Sequence, residues 1–191
     1  VQIDGERELV LVETYKALRN AVQAFRDEPL LAIDAEGVPA TIALLQGATP
    51  THVYLLDGVK LGAGRIADAL RDVLSGVDSP TKLFQDLHQD ALALSNHGVD
   101  ELRNVIDTQL AAEMISGEPR LGFNDVLEVF GRQPHPEKQA AKKRMKTDAS
   151  MWLRRPLRPL DVKYAALDVT LLLDAMPELE ARLAALDAAS T

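Results

Sequence analysis

Two acids set two residues apart, Asp34 and Glu36, stand in an apolar run of strand type, Leu30-Leu-Ala-Ile-Asp34-Ala-Glu36-Gly-Val38. Side chains of a strand alternate between its faces, so both carboxylates project to the same side. Held together beside apolar neighbours they repel, and a bound cation is the usual relief. An Asp-x-Glu arises by chance in a chain this acidic, so the pair needs partners. Two other segments offer them. Asp90, in Gln85-Asp-Leu-His-Gln-Asp90-Ala-Leu-Ala-Leu94, falls in the first turn of an expected helix. There it is either a further ligand or an ordinary response to the helix dipole. Tyr164 and Asp168, in Tyr164-Ala-Ala-Leu-Asp168, are four apart and share one helical face. An acid on so apolar a helix is costly unless it meets a cation or a basic partner such as Arg154, Arg155 or Lys163.

The elements that must position these groups follow from pattern. Thr14 caps a helix over Tyr15 to Phe25, with Tyr15, Leu18, Val22 and Phe25 on one face. Leu30 to Val38, Ala40 to Gln46 and Val53 to Asp57 have short connections and predict an antiparallel meander. A helix ending at Ser75-Gly76, a strand at Thr81 to Phe84, a helix over His88 to Asn96 and a strand over Leu102 to Ile106 come next. From Asp107 the pattern is helical: Thr108 to Ile115, Gly122 to Phe130, Glu137 to Lys146, Met151 to Leu153, Pro159 to Leu173 and Pro177 to Leu186. Gln133-Pro-His-Pro136 reads as a loop. Strands early and helices late predict an α/β layer structure with a helical C-terminal part.

Bulk properties narrow the function. The 191 residues suffice for one domain with a substantial core, and 47% hydrophobic with 26% charged is ordinary globular composition. No apolar run of membrane-spanning length occurs, and the acidic N-terminal residues lack a signal-peptide pattern. Absence of cysteine excludes disulfides and thiolate metal sites and points to an intracellular, reducing compartment, cytoplasmic or nuclear. A net charge of −8 argues against a non-specific coat on duplex DNA. His52, His88, His97 and His135 have no zinc-ligand spacing, and no Gly-x-Ser-x-Gly element is present.

In this order, the three acidic segments resemble the motifs of the DEDD family of 3′–5′ exonucleases, in the subclass with a tyrosine in the third motif. Asp34-Ala-Glu36 is similar to the first motif, Asp90-Ala-Leu-Ala-Leu to the second, and Tyr164-Ala-Ala-Leu-Asp168 to the third. Val105-Ile-Asp-Thr-Gln-Leu and Trp152-Leu-Arg-Arg-Pro-Leu157 are similar to family segments between them. Asp-Ala-Glu-Gly-Val, Leu44-Leu-Gln46 and Lys143-Arg-Met-Lys-Thr-Asp148 look like the ribonuclease D branch that includes Egalitarian and related exonuclease-domain proteins. The resemblance covers about residues 28 to 176, with residues 1–27 as an N-terminal extension and helix. Gln85 departs from it, since many relatives have His there.

The resemblance implies a single exonuclease domain over residues 1–191, with a ribonuclease H-like mixed sheet flanked by helices. It implies a two-metal mechanism with Mg²⁺ or Mn²⁺, ligated by Asp34, Glu36, Asp90 and Asp168, with Tyr164 orienting the attacking water. Asp90 is expected to act at one remove, through water. The expected partner is the 3′ end of single-stranded RNA, or DNA, with a homodimer or protein partner left open. The alternative is a weakly active or inactive RNA-binding adaptor of the Egalitarian type. A basic cluster that includes Lys142, Lys143, Arg144, Arg154 and Arg155 is the expected phosphate-tracking surface; its plain alternative is a solvated, salt-bridged helix face.

Overall fold

A computed structural model describes residues 7–38, 41–133, 148 and 150–189, the side chains of 38 and 189 excepted. The chain folds around a mixed sheet of six strands among the described residues, in the order β1-β4-β3-β2-β5-β6. Its strands are β1 (Glu8–Val12), β2 (Leu30–Val38), β3 (Thr41–Ala48), β4 (His52–Asp57), β5 (Thr81–Phe84) and β6 (Val105–Asp107). The helices are α1 (Tyr15–Arg26), α2 (Gly58–Leu61), α3 (Ala63–Ser75), α4 (His88–Ser95), α5 (Thr108–Ser116), α6 (Phe123–Val129) and α7 (Pro159–Ala189). A 3₁₀ turn covers Met151–Leu153.

The predicted meander is present, with β2–β3 and β3–β4 antiparallel. β1 joins β4 in parallel, and β5 and β6 extend the sheet in parallel beyond β2. Apolar residues cover both sheet faces, as layered α/β packing requires. On one, Leu31, Ile33, Ile42, Leu45 and Leu56 pack with Leu18, Val22 and Phe25 of α1 and Ile66 and Leu70 of α3. On the other, Ala32, Leu44, Leu55 and Leu83 pack with Val126 of α6, Trp152, and Ala165, Ala166, Val169 and Leu172 of α7. The small side chains of Ala32, Ala43, Ala165 and Ala166 let α7 lie close to the sheet. Asp34 and Glu36 share the parity of Ala32 and face α7.

Gly37 creates a local irregularity that matters for the acids. The register of β2 against β3 shifts between Glu36 and Gly37, and a β-carbon on Gly37 would lie 2.0 Å from the Thr41 carbonyl oxygen. Any other residue would push the hairpin apart just beyond the acid pair.

Several expectations need correction. Thr14 caps α1 as predicted, its hydroxyl accepting from the Ala17 N–H at 3.2 Å. Tyr15 is nevertheless 47% exposed and lies under the Arg65 guanidinium rather than in the core. β1 lies within the expected N-terminal extension, but its pairing partner is more than forty residues away, beyond the reach of local pattern. The strand predicted from Leu102 begins at Val105. The two C-terminal helices are one, and Pro177 lies inside it. Proline removes one helical hydrogen bond, but Leu173, Met176 and Leu179 are all buried against the core, and that burial carries the helix across the break. The expected helix at Glu137 to Lys146 and most of the loop Gln133 to Pro136 lie outside the described residues.

Candidate active site

β2 delivers Asp34 and Glu36, both half-buried, to the sheet face beneath α7. Asp168, buried at 7% exposure, comes down from α7. Asp34, Glu36 and Asp168 each offer a ligand atom, and these atoms all lie within 4.8 Å of one another. At that separation, with an effective dielectric near 20, each ionised pair repels by about 3 kcal/mol. A divalent cation removes that repulsion, and three carboxylates form the hard oxygen donor set that suits Mg²⁺ or Mn²⁺. The residues therefore fit the group that the sequence implied.

Asp90 is brought to the same place but makes a different contact. It is 5% exposed, and its Oδ1 accepts a hydrogen bond of 2.8 Å from the Ala35 N–H, the peptide between the two β2 acids. Burial, followed by the nearby Asp34 charge, pushes its carboxyl up to about 8. Asp90 is therefore largely protonated at neutral pH when no cation is held nearby. It stands outside the three-acid cluster.

Tyr164 lies one helical turn before Asp168, half-buried, its ring 6.1 Å from that of Trp152. Burial, then the charges of Glu36 and Asp34, raise its phenol well above the usual range. The hydroxyl thus remains a hydrogen-bond donor throughout the physiological range, near enough to Glu36 and Asp34 to feel their charge.

Three residues beside the site were not singled out in the sequence. Asp107 caps α5 through the Gln109 N–H at 2.9 Å, and its carboxylate also takes the N–H groups of Asp86 (3.2 Å) and Leu87 (3.0 Å). It thereby fixes the turn into α4, where Asp86 holds a positive φ of 56°, and so the approach of Asp90. Asp57, at the end of β4, caps α2 and pairs with Arg155. Gln46, whose segment had served only as a family cue, sits directly across from Asp34 in the β2–β3 register. A capping Asp followed by a helix was the available signal for the first two; nothing local betrayed their long-range partners. Gln85, the departure from the family pattern, accepts a hydrogen bond from the Thr108 hydroxyl at 2.7 Å.

The expected basic surface is divided by the structure. Lys142, Lys143 and Arg144 lie outside the described residues. Arg154 is 44% exposed and donates to Asp148. The Arg155 side chain is 13% exposed and turned inward, donating to Asp57, to the Ala43 carbonyl at 2.8 Å and to the Trp152 carbonyl at 2.7 Å. Its guanidinium is committed to internal acceptors.

No helix among the described residues is long and apolar enough to cross a membrane. Residues 9–184 match a family model described as a 3′-5′ exonuclease. Ribonuclease D of Shewanella sp. (strain ANA-3) is 28% identical over 178 residues, covering 90% of this chain and 42% of that protein. The chain thus spans less than half the length of that curated relative. Among solved structures, Trypanosoma brucei RNase D aligns with a TM-score of 0.80 at 27% identity, over 90% of this chain and 64% of that one. Escherichia coli RNase D aligns at 0.71 and 26%, over 91% and 46%. The Aedes aegypti Nibbler EXO domain, at 20% identity and a TM-score of 0.74 over 94% and 90%, shares the fold. With this sheet, this acid cluster and a family match over nearly its whole length, the chain belongs to the 3′–5′ exonuclease family, in its ribonuclease D-like DEDD group.

Proposed function

We propose that the chain acts as one exonuclease domain that hydrolyses phosphodiester bonds from the 3′ end of single-stranded RNA, using two Mg²⁺ or Mn²⁺ ions. The observation that carries this reading is the convergence of Asp34, Glu36 and Asp168 within 4.8 Å. Support for RNA comes from Trypanosoma brucei RNase D, which has been solved in complex with RNA U12 and with GMP.

When bound, the cations supply a water acidic enough to attack at neutral pH and neutralise charge that develops on the phosphate. Asp34, Glu36 and Asp168 would hold the ions. Asp90 braces the β2 peptide between the two acids and acts on the site through water. The Tyr164 hydroxyl, kept protonated, donates a hydrogen bond that orients the attacking water. Glu36 also contacts the terminal ribose, which makes the reaction end-specific. Arg154 and the lysines and arginine at 142–144 follow the phosphate backbone. Arg155 instead holds the turn before α7.

A 3′-labelled and a 5′-labelled single strand incubated with Mn²⁺ test the reading, with Asp34→Asn as control. Stepwise shortening from the 3′ end, abolished in the variant, is the expected result. Binding without shortening would overturn it and favour the adaptor.

A further inference from the structure

Gln46 is polar in a place where folding alone calls for an apolar residue. It lies in β3 between two strands, flanked on its face by Leu44 and Ala48 and paired across β4 with Leu55. Its side chain is 0% exposed, and neither Oε1 nor Nε2 has a hydrogen-bond partner. A buried amide without partners is destabilising, and a Leu or Met of similar volume would remove that cost. Such groups call for an explanation outside folding.

The register supplies one. Gln46 is the cross-strand partner of Asp34, on the same face, beneath α7. Directly opposed residues of antiparallel strands have β-carbons roughly 5 Å apart, within the span of a glutamine side chain. An amide is also the right chemistry beside a cation-holding carboxylate. It donates to the ionised oxygen and favours the charged form, yet brings no positive charge to compete with the ion. An Arg or Lys at this position would neutralise Asp34 instead. The other end of the amide has a candidate of opposite polarity. Trp152 Nε1 is likewise buried without a partner, on the turn that packs against both β2 and β3.

We propose that Gln46 is a positioning residue for the metal centre: its Nε2–H, unpartnered in the metal-free structure, would donate to the Asp34 carboxylate across the register once a cation is held, fixing that side chain in its ion-holding orientation. The proposal rests on the metal-dependent reading of the site. Hydrogen-bond partners of metal-holding carboxylates commonly change metal affinity by about ten- to a hundred-fold when removed.

The test uses Mn²⁺ alone, without nucleic acid, on the whole chain. Mn²⁺ affinity is measured by titration calorimetry, and metal-free stability by urea unfolding. For Gln46→Met we expect metal-free stability equal to or above wild type, with Mn²⁺ affinity weakened about ten-fold or more. Gln46→Leu, shorter and branched, should behave in the same way, and guards against a local misfit of Met. A purely structural glutamine would give the reverse, with metal-free stability lost and Mn²⁺ affinity retained, and that outcome overturns the proposal. Wild-type affinity in a stable variant overturns it too. If wild type itself fails to bind Mn²⁺, the metal-dependent reading falls, and the proposal with it; the wild-type titration separates the two failures.

Discussion

Arg155 and Asp57 meet across 98 residues of chain, with Nε donating to Oδ2 at 2.5 Å and side-chain exposures of 13% and 5%. Burial pushes the Asp57 carboxyl up. The Arg155 hydrogen bond, the Lys60 N–H and the two basic charges outweigh it and hold the group below its ordinary range. Removing one member leaves the other buried and uncompensated. Arg155→Met or Asp57→Asn should therefore destabilise the fold by about 3 kcal/mol in urea unfolding. The double variant should recover part of that loss. Because the carboxyl is depressed in the folded state, the stabilisation is present above its unfolded value. It disappears as pH falls through its folded value, so the wild-type advantage should vanish in acid.

The acid cluster predicts a cation response in the melting curve. Mg²⁺ or Mn²⁺ at about a hundred times its dissociation constant contributes about 2.7 kcal/mol of stability, a rise in Tm of roughly 5–10 °C for a chain of this size. Asp34→Asn should melt at or above wild type without cation, because one of three repelling charges is gone, and should lose most of the rise. Scanning fluorimetry with and without Mn²⁺ checks both halves. An unchanged rise in the variant would count against Asp34 as a ligand.

Asp90 makes the metal-free protein sensitive to pH. Its folded carboxyl, raised to about 8, binds a proton that the unfolded chain has already released above about pH 4. The stabilisation is complete below the unfolded value and is lost as pH rises from about 4 to about 8. Metal-free Tm should fall across that window by several degrees, and Asp90→Asn should flatten the slope. Melting curves in EDTA at half-unit pH steps read it directly.

Lys82 gives a slope of the opposite sign at higher pH. It is 0% exposed in β5, and its ammonium donates to the Ser79 hydroxyl at 2.8 Å. Burial lowers it to about 8. The folded state then holds fewer protons than the unfolded one between about 8 and 10.5, so stability rises with pH through that interval. Lys82→Met should raise the neutral-pH Tm by a few degrees and abolish the alkaline rise. A drop in Tm would show that the Ser79 contact outweighs the burial cost.

What the sequence disclosed, and what it hid, divides by distance along the chain. The Thr14 cap, the β2–β3–β4 meander and the shared face of Asp34 and Glu36 follow from spacings of a few residues, and strand or helix period reports them directly. The convergence of Asp168 on Asp34 came from motif order rather than periodicity. Asp57 resembled any cap because its partner is Arg155, and Arg155 resembled a phosphate ligand because its acceptors are contributed by β3, β4 and its own turn. Gln46 gave no signal as a member of an apolar strand until the register set it against Asp34. Pro177 signalled the start of a separate helix, and tertiary burial of Leu173 and Leu179 carries one helix through it.

The helix that carries Asp168 is also moored at its far side. Arg7, 6% exposed just before β1, grips Asp174 through Nη2 at 2.5 Å and Nη1 at 3.4 Å, while its Nε donates to the Thr49 carbonyl at 3.1 Å. Asp174 follows Asp168 by six residues, roughly 9 Å along the helix axis. The residue ahead of the edge strand thus acts as a guy-rope on the helix that carries Asp168. A fusion tag or trimmed start that disturbs Arg7 is expected to loosen the approach of Asp168 to Asp34 and Glu36.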